Sequence, residues 1–261
     1  LMRLVELLTL LGGGDPLALG LLGGLFCAFF NLAGATPVLL LERVPEEALN
    51  VGLGFSAGIM LGASFTSLIV PGIRIGGAAP VLLGIVLGAI IVTLADGLLP
   101  HMHFIMGREG ASSNVIRGIW LFVMAITIHN MPEGLAVGVG FASGDVEAAT
   151  LLMLAIGLQN IPEGLSVGFS LLATRSYSRR YAYSASALSG FIEPPLALLG
   201  AFAASLMHSM LPYAMGFAAG AMLFVISDEI IPETHRRGHE RAASYGLIAG
   251  LVIILALDLM L

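Results

Sequence analysis

The chain has 261 residues, 57 % hydrophobic and only 11 % charged, with a mean hydropathy of +0.98; soluble domains carry about a quarter charged residues, so a water-soluble globule is excluded. Seventeen Asp and Glu face eleven basic residues, all Arg, and the net charge of −6 excludes nucleic acid as a partner and favours cations. A single cysteine, Cys27, excludes a disulfide framework and multi-cysteine metal sites, which leaves His, Asp, Glu and amides as the main metal ligands on offer.

Residues 1–16 hold a short apolar stretch broken by Glu6, with no small-residue cleavage pattern. They read as a segment at the membrane surface rather than a cleaved signal peptide, and Leu1 in first place suggests residues upstream. Beyond them, apolar runs of about 20 residues or more predict eight membrane-spanning helices, at 17–42, 48–72, 78–100, 115–142, 147–173, 181–206, 212–233 and 243–261. Nine Arg (Arg43, Arg108, Arg117, Arg175, Arg179, Arg180, Arg236, Arg237 and Arg241) fall at the loops after the odd-numbered helices, against two, Arg3 and Arg74, on the other side. By the positive-inside rule the odd loops are cytoplasmic and both termini lie outside.

Two sequences recur. HNMPEGLAVG (129–138) returns as QNIPEGLSVG (159–168), and GFSAGIML (54–61) as GFAAGAML (216–223). Each pair has one member on an outward-running and one on an inward-running helix. The fold class expected is therefore an all-α, eight-helix bundle, one transmembrane domain over 1–261, with inverted repeats about a pseudo-two-fold axis in the membrane plane. That is a transporter pattern. Glycines at four-residue spacing, such as Gly54, Gly58 and Gly62, suit close helix packing.

An ionised side chain at midmembrane costs several kcal/mol and needs a partner or a water-filled cavity. His129, Asn130 and Glu133 share one face of the fourth helix; Gln159, Asn160 and Glu163 repeat that spacing on the fifth. Pro132 and Pro162 lack an N–H and free a backbone carbonyl, and Glu193 precedes Pro194 and Pro195 on the sixth helix. Three glutamates at one depth repel one another when ionised; one or two divalent cations remove that repulsion, and Glu133 and Glu163 are placed to bridge two metals. Imidazole, amides and carboxylates without thiolate suit zinc, cadmium, iron(II), manganese or cobalt better than copper(I), and His129 argues against calcium or magnesium. A second set, nearer the cytoplasm, comprises Asp96, His101, His103, Asp228, Glu229, His235 and His239, read as an exit route or secondary metal position. Met60 and Ser64 on the second helix are candidate pathway residues.

The paired motifs HNMPEG and QNIPEG, with GFIEPP on the sixth helix and SDEIIPETHRRGHE ending the seventh, resemble the ZIP (Zrt/Irt-like protein) family of divalent metal transporters, in its prokaryotic branch. The resemblance runs from about residue 17 to the C-terminus. It implies eight helices with both termini outside, a homodimer in the bacterial inner membrane, and passage of zinc and related ions into the cytoplasm through a binuclear site. In that carry-over His129, Glu133, Gln159 and Glu163 hold one metal; Asn130, Asn160 and Glu193, with the bridging Glu133 and Glu163, hold the second; Asp228 and Glu229 match an inner, cytoplasm-side position. Many eukaryotic members have His in place of Gln159 and long His-rich loops in place of the short 101–114 segment.

An exporter or a channel would use the same ligand set. A membrane di-metal enzyme fits less well. HNxPE has Asn where the HExxH of a zinc protease has its catalytic Glu, and no midmembrane pair has the Glu-x-x-His order of a di-iron bundle. Transport, not catalysis, is the expectation, with no organic cofactor.

Overall fold

Helix ends in this chain follow local chemistry. The computed structural model describes residues 2–98, 101–103, 107–109, 119–173, 175, 177–235 and 238–259. Helix α1 (Met2–Gly12) leads into α2 (Pro16–Leu40). Asp15 caps α2, its carboxylate accepting the Leu17 N–H at 3.2 Å, and Pro16 takes the first helical position, where a missing N–H breaks no bond. Helix α3 (Glu46–Gly76) stops at Gly77, whose φ of +84° suits glycine, and α4 (Ala78–Leu98) follows directly. Next, β1 (His101–His103) pairs antiparallel with β2 (Gly107–Glu109), Met102 opposite Arg108, where sequence alone suggested only a short loop.

Helices α5 (Ile119–Ala142) and α6 (Val146–Ala173) are joined by a tight turn. Gly144 takes φ +84° there, and Asp145 accepts the Ala148 N–H at 3.0 Å. Ser178 caps α7 (Arg179–Leu206), and α8 (Leu211–His235) and α9 (Glu240–Leu259) complete the chain. Seven of the helices α2–α9 are long and apolar enough to cross a membrane among the described residues, and α5 is a further apolar helix of 24 residues. The chain is a multi-pass membrane protein.

Residues 99–100, 115–118 and 260–261, included in the expected spans, lie outside the described residues. The largest extension, α3 running on to Gly76, has a physical cause. Over Ser64–Ile69 this helix widens into a π turn, with the Val70 N–H reaching back five residues to Phe65. The widening ends two residues before Pro71, whose missing N–H would otherwise break the helix ladder. Helix α8 does the same over Ile226–Ile230, ahead of Pro232.

The helices pack in two related sets. Helix α3 lies along α9 and α8 along α4; α5 lies along α7 and α6 along α2. Glycine sets these contacts at backbone distance. A Cβ at Gly58 would collide with the Leu247 carbonyl, one at Gly88 with Phe217, one at Gly138 with Ala197, and one at Gly164 with Asn31. The two sets meet where α3 crosses α6 and α8 crosses α5. Helices α4 and α9 are peripheral, with 22 % of their apolar windows buried, whereas α3 and α6, at 67 %, are enclosed. Polar residues at the middle of α5 and α6 are thus held away from lipid.

Candidate metal centre

Helices α5 and α6 run unbroken through Pro132 and Pro162. The Pro-Glu-Gly triplets combine two tasks. Each glutamate faces the junction of the two helix sets, while the glycine beside it brings a neighbouring backbone close. A Cβ at Gly134 would stand 2.8 Å from the Glu193 carbonyl oxygen, and one at Gly164 would meet the Asn31 carbonyl. Glu193 itself sits at an interruption. Helix α7 breaks after Gly190, resumes at Glu193, and carries Pro194 and Pro195 in its new first turn. The broken turn leaves the Ser189 carbonyl free to accept the Asn130 Nδ2–H at 3.2 Å.

The seven sequence-predicted ligands divide by what their atoms are doing. Gln159 Nε2 donates to Asn160 Oδ1 at 2.6 Å, and Asn160 Nδ2 donates to Glu193 Oε1 at 2.7 Å and to the Cys27 carbonyl at 3.1 Å. All three amide nitrogens are therefore committed to protein acceptors. Of the oxygens, Asn160 Oδ1 is taken by Gln159 and Glu193 Oε1 by Asn160. Asn130 Oδ1, Gln159 Oε1, both carboxylate oxygens of Glu133, Glu163 Oε2 and Glu193 Oε2 are buried and have no hydrogen-bond donor among the described residues. Burying uncompensated acceptors, above all carboxylates, costs several kcal/mol each unless a cation answers them. The donor set fits one: hard oxygens with one imidazole, the ligand chemistry of zinc and its divalent neighbours.

His129 stands at the meeting point. Its Nε2 is 3.8 Å from Glu163 Oε2 and its Nδ1 is 3.3 Å from Glu229 Oε2. One ligand atom from each of His129, Glu133 and Glu163 falls within 4.8 Å of the other two. With Nδ1 donating to Glu229, the imidazole presents Nε2 as a lone pair toward Glu133 and Glu163, the arrangement by which a carboxylate orients a metal-binding histidine. Glu229, read from sequence as part of a separate set nearer the cytoplasm, thus lies buried against the central histidine.

Asp96 is half-buried near the end of α4 and Asp228 is exposed on the π turn of α8. His235 turns its Nδ1 to the Ile231 carbonyl at 2.8 Å and to Thr234 at 3.0 Å, and His239 is half-buried between α8 and α9. His101 and His103 belong to β1, and their side chains lie outside the described residues. Met60 is wholly buried in the core, and Ser64 spends its hydroxyl on the Met60 carbonyl at 2.8 Å.

Sequence reasoning missed three supporting residues. Ser56 on α3 donates to the Gln159 carbonyl at 2.8 Å across the junction of the two helix sets. Ser189 and Cys27 lend their carbonyls to Asn130 and Asn160. Their partners lie 59 to 133 residues away in the chain, so no local spacing announces them.

The chain is similar to known proteins over most of its length. The family model described as ZIP Zinc transporter matches residues 106–258. The chain is 39 % identical to Zinc transporter GufA of Myxococcus xanthus over 93 % of its own length and 98 % of that protein. Identity is also 39 % to Zinc transporter ZIPB of Bordetella bronchiseptica, over 91 % and 79 %, and 34 % to Zinc transporter ZupT of Stenotrophomonas maltophilia, over 90 % and 91 %. With coverage this complete, and the paired motifs inside it, the chain belongs to the ZIP zinc transporter family.

Proposed function

We propose that this chain carries zinc, and with it related divalent ions such as cadmium, iron(II) or manganese, across the bacterial inner membrane into the cytoplasm. It does so as a single transmembrane transport domain of eight spans with both termini outside, acting in a homodimer. The observation that carries this reading is the set of buried oxygens without donors among the described residues, those of Glu133 and Glu163 standing beside His129. The names of the three relatives point the same way.

His129, Glu133, Gln159 and Glu163 take one metal, and Asn130, Asn160 and Glu193 take a second, with Glu133 and Glu163 bridging both. The ion exchanges its water for these groups and leaves by the carboxylates of α8. Inward polarity rests on the Arg asymmetry. Packing supports alternating access between inverted repeats: α3 with α9 mirrors α8 with α4, and α5 with α7 mirrors α6 with α2. One set slides against the other across a junction made by side chains, while glycine-mediated backbone contacts hold each set together.

Purified protein in liposomes is expected to admit zinc down its gradient to an internal fluorescent chelator. Glu163→Ala and Glu133→Ala should each cut uptake by about 100-fold, since each removes a bridging ligand. Normal uptake by Glu163→Ala would overturn the assignment. Because His129 and the carboxylates bind metal only without their protons, zinc binding falls as pH falls. Affinity that stays flat into the acid range excludes them as ligands.

A further inference from the structure

Gln159 and Asn160 are successive residues of α6, and side chains one step apart point about 100° away from each other round a helix and do not ordinarily bond. Here they do: Gln159 Nε2 donates to Asn160 Oδ1 at 2.6 Å, with both side chains wholly buried. The direction of this bond is fixed by the groups behind it. Asn160 turns its nitrogen to two acceptors, Glu193 Oε1 at 2.7 Å and the Cys27 carbonyl at 3.1 Å, so its oxygen faces Gln159 and only the Gln159 nitrogen can answer it. Gln159 Oε1 is left buried, without a donor among the described residues. One amide thus offers its oxygen to an ion while its nitrogen holds the oxygen that the neighbouring amide would offer to another.

Building on the two-metal reading above, we propose that Gln159 is a lock on the second position as well as a ligand of the first, so that its amide sets two ions against each other. An ion at Oε1 polarises the amide and makes Nε2–H a stronger donor to Asn160. A second ion, held by Asn130, Asn160 and Glu193, draws on the same Asn160 oxygen and competes with that hydrogen bond. The lock weakens the second position by about the worth of one hydrogen bond, roughly five-fold in affinity. Linkage is reciprocal, so the arrival of the second ion loosens Gln159 and with it the hold on the first.

Gln159 is the chain's one glutamine, so protein made with glutamine isotopically labelled at its side-chain nitrogen reports on this amide alone. Purified protein is titrated with zinc chloride, following the two Nε2 protons by NMR while bound zinc is counted by equilibrium dialysis. The hydrogen-bonded proton is expected to hold its place or move downfield through the first equivalent and to move upfield with the second. In a His129→Ala background, which takes the imidazole from the first position, adding Gln159→Leu should tighten the remaining zinc site about five-fold. Adding Glu193→Ala should erase that gain. A proton signal that does not move upfield with the second equivalent, or zinc binding that Gln159→Leu leaves equal or weaker in that background, overturns the lock and leaves both metal positions standing. Uptake of fewer than two equivalents by the unaltered protein overturns the two-metal reading and the lock with it. The NMR titration needs no variant, so a substitution that folds poorly does not blunt the test.

Discussion

The two π turns have the same backbone device and opposite chemistry. Each follows its own copy of the Gly-Phe-x-Ala-Gly-x-Met-Leu repeat, from Gly54 to Ser64 on α3 and from Gly216 to Ile226 on α8, and each ends just before a proline. On α3 the turn carries hydroxyls. Ser64 bonds back to its own helix, and Ser67 is buried with no hydrogen-bond partner for its Oγ beside a cavity of about 560 Å³ lined also by Thr66, Arg74, Asp145, Glu147 and Asp258. On α8 the turn carries carboxylates, and Glu229 reaches His129. The repeated backbone widens a helix twice; side chains then assign charge to one copy. Of the two turns, the one on α8 sends a carboxylate to the His129 imidazole.

The largest effect on this asymmetry comes from removing its charged member. Glu229→Ala leaves His129 Nδ1 without its acceptor and frees the ring to rotate. Zinc Kd, measured by calorimetry on purified protein, should rise by about 10- to 100-fold. Glu229→Gln keeps an acceptor oxygen and should recover much of that loss. Zinc binding by Glu229→Ala that matches the unaltered protein would mean that the contact orients nothing, and the two turns would then be equivalent.

Different parts of the site were legible in the sequence to different degrees, for physical reasons. That His129, Asn130 and Glu133, and likewise their counterparts on α6, share one helix face could be read directly, because polar groups in apolar helices are conspicuous and α-helical spacing sets them there. That the apolar runs are helices was equally legible. The reach of Glu229 was not: ordinary helical spacing carried through 226–230 misplaces its face, because a π turn holds one residue more and rotates everything before it relative to everything after. The interruption of α7 at 191–192 left a trace in Glu193-Pro194-Pro195, but the acceptance of Asn130 by Ser189 depends on where two distant helices cross. Ser56 and Cys27 sit in stretches of small and apolar residues that look like packing alone, and their polar partners come only from the tertiary fold.

A smaller effect comes from the proline that follows the α8 turn. Pro232→Ala restores an N–H and lets 226–230 relax toward an α-helix, which swings Glu229 away from Nδ1. The cost should be that of one hydrogen bond, about 1 kcal/mol, or roughly five-fold in zinc affinity. Combined with Glu229→Ala, the proline variant should add little, because both act through the same contact; full additivity in that double-mutant cycle would place the proline's effect elsewhere.

The smallest effect is expected on the neutral turn. Ser67→Ala removes a buried hydroxyl with no hydrogen-bond partner among the described residues, so no partner there is left unsatisfied and the desolvation cost of the hydroxyl disappears. Thermal stability should hold or rise slightly, and zinc Kd should stay within about two-fold, the ±0.5 kcal/mol range of a substitution that breaks no interaction. The informative variant is Ser67→Glu, which gives the α3 turn the charge that the α8 turn already has. If charge alone distinguishes the turns, the substituted protein binds an additional divalent ion beside the cavity, seen as a higher stoichiometry in calorimetry, while the His129 centre keeps its affinity. If Ser67→Ala by itself raises Kd five-fold or more, the hydroxyl turn already takes part in holding the ion. The division of labour between the two turns would then be one of strength, not of kind.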